Sequence, residues 1–396
     1  LLNNIDFLKE AINLRNEIIN HRRHFHKHPE MGFEEFETCR TILNYLNHLG
    51  IENKVLSGTG IVAIINGKEK GKTIALRSDL DALPIDDLKN VEYSSKISGK
   101  MHACGHDGHI SILMGVARIL NNHKDKFKGS VKLIFEPAEE TVGGAKFMIR
   151  DGVLDNPKVD AIVGLHVSEL IDSGCIGMKY GVVNAASNPF EIIIKGKGGH
   201  GAHPEDCIDP IVAACNIVTS LQTIISREIS PHNPSVLTIG KFIGGTAPNI
   251  IPEEVKLEGV IRTLTKEDRA MVIKRLREIC NGIAVSMRVN VEVEIVDGYP
   301  CLYNDDKMVF LGERVFKKVI GDENVIMDIN PSMGVESFAY FSQEVPSLFY
   351  FLGTRNISKG IIHPAHGGLF DLDEEGLVLG VALQSAIAFS YLNNLD

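Results

Sequence analysis

Tryptophan is missing from this chain altogether, and aromatic residues make up only 6% of its 396 positions. So few rings leave no platform of bases stacked between aromatic and basic side chains. Basic excess is missing too: 41 Lys and Arg face 51 Asp and Glu, a formal net charge of −10, which excludes the electrostatic footprint of a phosphate-backbone binder. No apolar run approaches the roughly 18 uninterrupted residues of a membrane span, and the first residues lack a basic start followed by an apolar stretch. The seven cysteines are odd in number and show no paired spacing; Cys39, Cys207, Cys215 and Cys280 scatter through helical and strand-like stretches, as reduced thiols do. These absences predict a soluble cytoplasmic protein without nucleic-acid or membrane partners. Length alone predicts two domains, because a chain of this size outgrows one ordinary core.

Chemistry is concentrated in Met101-His102-Ala103-Cys104-Gly105-His106-Asp107-Gly108-His109-Ile110. Burying three imidazoles beside a thiol and a carboxylate is costly unless something binds there, and metal is the simplest candidate. Cys104 and His106 lie two apart, so a turning segment before a helix over residues 108–121 points both to one side. His102 and His109 fit better as hydrogen-bonding support for that site. A thiol-redox role for Cys104 lacks a resolving Cys at CxxC spacing.

Two helices, over residues 4–26 and 34–49, open the chain. Short apolar runs at 60–65, 73–77, 131–135 and 161–165 then alternate with helical stretches, which predicts an α/β sheet covered by helices on both faces. Residues 185–297 change texture and read as strand, helix, two strands, helix, strand. That β-α-β-β-α-β order suits an inserted two-layer α+β domain between a discontinuous catalytic domain of residues 1–184 and 298–396.

Polar groups follow the predicted strand ends, where α/β sheets place their sites. Asp79-Leu80-Asp81 puts two carboxylates on one face of an extended segment. Glu136-Pro137-Ala138-Glu139-Glu140 offers adjacent carboxylates with separable tasks: Glu140 as metal ligand, and Glu139 free to move a proton. His166 ends a strand, and His366 lies in His363-Pro364-Ala365-His366-Gly367-Gly368. Cys104, His106, Glu140, His166 and His366 together supply more donors than one four-coordinate zinc needs, which favours two metals. The glycine-rich loop from Lys195 to Pro204 lacks the Lys-Ser/Thr ending of a nucleotide loop.

These motifs, with His24-Phe25-His26-Lys27-His28-Pro29-Glu30, Arg77-Ser78-Asp79-Leu80-Asp81, Gly198-Gly199-His200-Gly201-Ala202, Ala247-Pro248-Asn249-Ile250-Ile251-Pro252 and His366-Gly367-Gly368, run through nearly the whole chain. The chain resembles the co-catalytic metallopeptidases of the aminoacylase and carboxypeptidase type, in the amidohydrolase branch of hippurate hydrolases, N-acyl-amino-acid deacylases and auxin-conjugate hydrolases. The resemblance implies two divalent metals, zinc first, with manganese, nickel or cobalt as alternatives. It has Cys104 bridging them, His106, Glu140, His166 and His366 completing the shells, Glu139 as general base and acid, and Asp81 behind the catalytic site. Asp79 stands where other branches carry a ligand histidine. The inserted domain is implied to act as lid and dimer interface, bringing His200 to the oxyanion and Asn249 and Arg262 to the substrate carboxylate. The expected reaction is hydrolysis of an N-acyl amino acid by a metal-bound hydroxide, giving a carboxylate and a free amino acid. A dipeptidase or exopeptidase on the same scaffold, or a non-catalytic metal-containing binding protein, are the alternatives. Three departures from the branch pattern stand out: Glu136 for the usual Gln, Ser337 for the usual Asp, and Gly367-Gly368 for Ser-Pro or His-Pro.

Overall fold

The computed structural model describes residues 5–395. By backbone contacts the chain divides between Gly181 and Val182 and again between Leu302 and Tyr303, with Pro331–Val335 joining the second unit. These divisions fall a few residues outside the expected 185–297 segment.

The first unit is built on a mixed sheet in the order Glu52–Leu56, Gly60–Asn66, Ser130–Glu136, Thr73–Asp79, Ala161–Asp172, Ser347–Arg355, Ile176–Met178, Val325–Met327. Its four middle strands are parallel, so their carboxyl ends share one edge. Every residue of Thr73–Asp79 is buried, as a parallel strand covered on both faces requires. Asp79 and Glu136 are register partners at that edge.

Helix His106–Asn122 packs against Glu374–Leu392 through small residues. A Cβ on Gly115 would lie 2.8 Å from Val381 Cγ2, and one on Gly380 would lie 2.6 Å from Ile112 Cδ1. Glu374–Leu392 is long and apolar enough to cross a membrane by length and composition, but 83% of its apolar window is buried inside the fold. Core packing explains that composition.

Two expectations need correction. The helix expected over 108–121 begins at His106, because Gly105 takes a left-handed φ of 87° that turns the chain directly into it. A Cβ on Gly105 would also meet Val167 Cγ2 at 2.3 Å. The helix expected over 4–26 is two helices, Phe7–Asn13 and Arg15–Lys27: Leu14 N–H turns back to Ala11 O and tightens one turn. Residue 4 lies outside the described residues.

The second unit pairs its strands antiparallel in the order Ser235–Gly244, Glu254–Thr263, Ala186–Lys195, Asn290–Ile295. Helices Pro210–Thr223 and Lys266–Met287 join them in β-α-β-β-α-β order. Asp209 and Thr265 cap those helices through their side chains. Phe190, Ile192, Ile194, Ile217 and Leu276 belong to its separate core.

Gly115→Val tests the close helix contact. Propensity alone would not penalise this change, so the cost is overpacking, about 1–3 kcal/mol in urea unfolding of the metal-free protein. An unchanged midpoint would contradict the packing described.

Candidate metal centre

Strand ends and helix starts along the parallel edge supply the donors. Cys104 precedes helix His106–Asn122, Glu139 and Glu140 open Glu139–Val142 after strand Ser130–Glu136, and His166 stands in Ala161–Asp172. His366 is held at a positive φ of 62°, and its N–H donates to Ala103 O at 2.8 Å. Four compact donor groups result among the described residues, one of them His106, Glu139 and Glu140, and two of them share Cys104. Cys104, His106 and His166 have ligand atoms within 4.8 Å of one another, and so do Cys104, Glu140 and His366.

Backbone carbonyls orient the rings. His166 Nδ1 donates to Val167 O at 2.6 Å, which leaves Nε2 3.3 Å from Cys104 Sγ. His106 Nδ1 donates to Asp81 O at 2.9 Å, turning Nε2 toward Glu140 Oε1 at 3.9 Å. His366 Nε2 lies 3.3 Å from that same oxygen, which is buried and makes no aligned hydrogen bond among the described residues. A buried carboxylate oxygen facing two imidazole nitrogens beside a thiol is a donor set that divalent cations satisfy.

Asp79, His106 and His109 form another compact group. It is already satisfied without an ion. His109 Nδ1 donates to Asp79 Oδ1 at 2.6 Å, its Nε2 accepts Val167 N–H at 2.9 Å, and Asp79 Oδ2 pairs with Arg77 Nη1 at 2.7 Å. His109 therefore braces the strand that carries His166. His102, expected to give hydrogen-bonding support, is buried with neither ring nitrogen hydrogen-bonded among the described residues, and burial pushes it down to about 3, so it stays neutral.

Asp81 is spent on the backbone: its two oxygens accept the N–H groups of Glu139 and Glu140, each at 3.0 Å. Glu139 Oε1 accepts Ser337 N–H at 2.8 Å. Behind them Arg77, 2% exposed, is wedged among three carboxylates: Asp79 at 2.7 Å, Glu136 at 2.7 Å and Glu336 at 3.0 Å. Glu136 Oε1 also takes Ala145 N–H at 2.6 Å and the Ser337 hydroxyl. Thus two of the departures from the branch pattern face each other, one bringing a carboxylate and the other removing one. Sequence alone assigned no role to Arg77 or Glu336 and did not foretell that Ser337 pairs with Glu136 and Glu139; the only local signal for Arg77, beyond its place in a motif, was an Arg in an otherwise apolar run.

The charges shift one another strongly. Glu139 is held well above the usual carboxyl range by burial, then by Glu336 and Glu140. For Glu140 burial acts upward, but His366 and His106 outweigh it and bring the group down to about 2. Burial and Glu140 hold the Cys104 thiol well up, so without a cation it keeps its proton. A divalent ion at that sulfur reverses the balance.

The remaining expected residues lie in the second unit. His200 pairs with Ile250 across the short strands Gly199–His200 and Ile250–Ile251, and Asn249 O accepts Gly201 N–H at 2.8 Å, so these two loops are neighbours. Arg262, near the end of Glu254–Thr263, is partly buried, and its Nη1 has no hydrogen-bond partner among the described residues.

Thiol, imidazoles and paired carboxylates at the carboxyl edge of a parallel sheet, with a buried glutamate of raised proton affinity beside them, define a metal-dependent hydrolase. Sequence comparison makes the class specific. The chain belongs to peptidase family M20/M25/M40, whose profile matches residues 75–389. It is 38% identical over 381 residues to thermostable carboxypeptidase 2 of Saccharolobus solfataricus, covering 95% of both chains. It is 38% identical over 383 residues to the N-acetyl-L-cysteine deacetylase of Bacillus subtilis, covering 95% of this chain and 90% of that one. Among solved structures, the Bacillus subtilis YXEP protein, described as a dinuclear metal binding peptidase, superposes with a TM-score of 0.85 at 34% identity, over 97% of this chain and 100% of that one.

Arg77→Met should destabilise the metal-free protein by about 3–5 kcal/mol, because three buried carboxylates lose their common cation. Urea unfolding in chelator measures it, and a loss below about 1 kcal/mol would refute the role given to Arg77.

Proposed function

We propose that this chain is a metal-dependent amidohydrolase that cleaves N-acyl amino acids to a carboxylic acid and a free amino acid. The observation that carries the reading is the pair of triads sharing Cys104 beside Glu139. Cys104 would be the ligand shared by two divalent ions, zinc first, with His106, His166, Glu140 and His366 as the residues that would hold them. Bound there, the ions supply Lewis acidity for the scissile carbonyl and acidify water.

The chain's own residues handle the protons. Glu139, raised by burial and fixed at one oxygen by Ser337 N–H, takes a proton from the attacking water and delivers it to the departing amine nitrogen. Asp81 positions both glutamates through their backbone N–H groups. His200, as donor to the developing oxyanion, rests on the motif match alone, as does Asn249. For Arg262, the unpartnered buried Nη1 supports a role as planar clamp for a substrate carboxylate.

A homodimer through the second unit belongs to the same proposal, supported by the edge strand Ser235–Gly244 with exposed Phe242 and Ile243. The seven free cysteines support a reducing, cytoplasmic setting. The relative named a carboxypeptidase favours peptides as the second reading.

The test is free amino acid release from N-acetyl, N-benzoyl and indole-acyl amino acids, with dipeptides alongside. Wild type should turn over at least one acyl class and lose turnover to chelator, while Glu139→Gln loses about 10²–10⁴-fold in kcat with metal content unchanged. Cleavage of dipeptides alone would replace the deacylase reading with the peptidase one. Arg262→Lys should raise KM about tenfold or more for substrates with a free carboxylate and leave the corresponding amides unaffected; equal effects on both would remove Arg262 from the carboxylate site.

A further inference from the structure

We infer that Glu35 is a positioning residue for the Glu139-Glu140 turn, acting through the backbone of Ala138; the inference rests on the proton-transfer role proposed for Glu139. Glu35 is fully buried and stands just before helix Phe36–His48, about a hundred residues upstream of the turn it touches. Its side chain caps no group of its own helix. Instead its Oε1 accepts Ala138 N–H at 2.8 Å, and its Oε2 accepts the hydroxyl of the buried Thr59.

Ala138 is where the turn is least comfortable. It takes φ 52° and ψ 43°, a left-handed conformation that a residue with a Cβ adopts only when its surroundings hold it there. Those surroundings press from several sides. A Cβ on Gly32 would lie 2.9 Å from Ala138 Cα, one on Gly60 would lie 2.9 Å from Pro137 Cδ, and one on Gly144 would lie 1.7 Å from Pro137 O. Glu35 supplies the directional element. Its bond to Ala138 N–H and the two Asp81 bonds to the next N–H groups fix three consecutive peptides with two buried carboxylates.

The loop carrying Glu35 is itself anchored. Glu30 caps the following helix through Glu37 N–H at 3.1 Å and Thr38 N–H at 2.8 Å, and Glu30 O accepts Ala82 N–H at 2.8 Å. Burial pushes the Glu35 carboxyl up to about 7 against the pull of its donors, a cost that filling the space alone would not need. Without Glu35 the Ala138 N–H is left buried and unsatisfied, and the turn has a reason to relax toward the right-handed region. Both Glu139 and Glu140 then shift.

The test compares Glu35→Ala, Glu35→Gln and Thr59→Val with wild type and Glu139→Gln. The substrate is the acyl amino acid that wild type turns over fastest. Metal content, thermal midpoint and the visible spectrum of the cobalt(II)-substituted protein are read alongside kcat and KM. A displacement on the ångström scale at a catalytic group costs about 10²-fold, so Glu35→Ala should lose about 10–100-fold in kcat with KM within about threefold and both metals retained. Its cobalt spectrum should shift, because Glu140 moves. Glu35→Gln keeps an acceptor oxygen and should recover most of kcat and the wild-type spectrum. Thr59→Val leaves Glu35 in place and should lose several-fold in kcat, so the proposal stays testable if Glu35→Ala does not fold. Wild-type kcat and spectrum in folded Glu35→Ala, or in Thr59→Val where that variant alone folds, would overturn the inference, as would a Gln variant as damaged as the Ala variant. Full turnover by Glu139→Gln would overturn the proton-transfer reading and this inference together. A dead Glu139→Gln beside an unaffected Glu35→Ala would overturn this inference alone.

Discussion

A single buried guanidinium makes the acidic edge of the sheet possible. Asp79, Asp81, Glu136, Glu139, Glu140 and Glu336 crowd around the carboxyl ends of the parallel strands, and water is largely excluded from them. Arg77 meets three of them directly, and unpaired their mutual repulsion would make this edge untenable. Its charge serves the inner layer only. In the outer layer Glu140 faces the imidazoles of His366 and His106, while burial and neighbouring carboxylates raise the proton affinity of Glu139 and the Cys104 thiol. Donors whose negative forms are this costly without a nearby positive charge are the ones a divalent cation stabilises.

Division of labour follows from the same crowding. Glu140 faces His366 and His106 and ionises readily, whereas burial and the facing Glu336 and Glu140 raise the proton affinity of Glu139. Two neighbours of identical chemistry are thus driven apart by their surroundings, one toward ligand and one toward acid and base. The backbone must hold them in register for this to work. Asp81 and Glu35 do so by accepting the three N–H groups of the turn, and Ser337 N–H fixes Oε1 of Glu139.

Much of this is legible in the sequence. Apolar runs of strand length marked the middle strands, and the residues just beyond them marked the edge. The order of elements in the second unit was readable from a change of period, because each strand and helix there buries one face on its own core. Contacts between distant segments were not legible. Nothing local in Glu35 points to Ala138, and nothing in Ser337 points to Glu136, since both bonds depend on how the loops return to the sheet. His109 had been grouped with the supporting residues, but only the structure gives its two hydrogen bonds, to Asp79 and to Val167 N–H. The departure at Gly368 also has a spatial cause: a Cβ there would lie 2.6 Å from Asp86 O. The Glu136 and Ser337 departures become one feature when seen to touch, a carboxylate moved from one side of a hydrogen bond to the other. Short strands such as Ile176–Met178 escaped because three residues carry no period.

The central claim is that Cys104 is the shared ligand of two divalent ions. Anomalous diffraction from zinc-loaded crystals, recorded on both sides of the zinc edge, tests it most directly. The account predicts two peaks flanking Cys104 Sγ, one beside His106 and His166 and the other beside Glu140 and His366. A single peak, or a peak seated between Asp79 and His109, would contradict it.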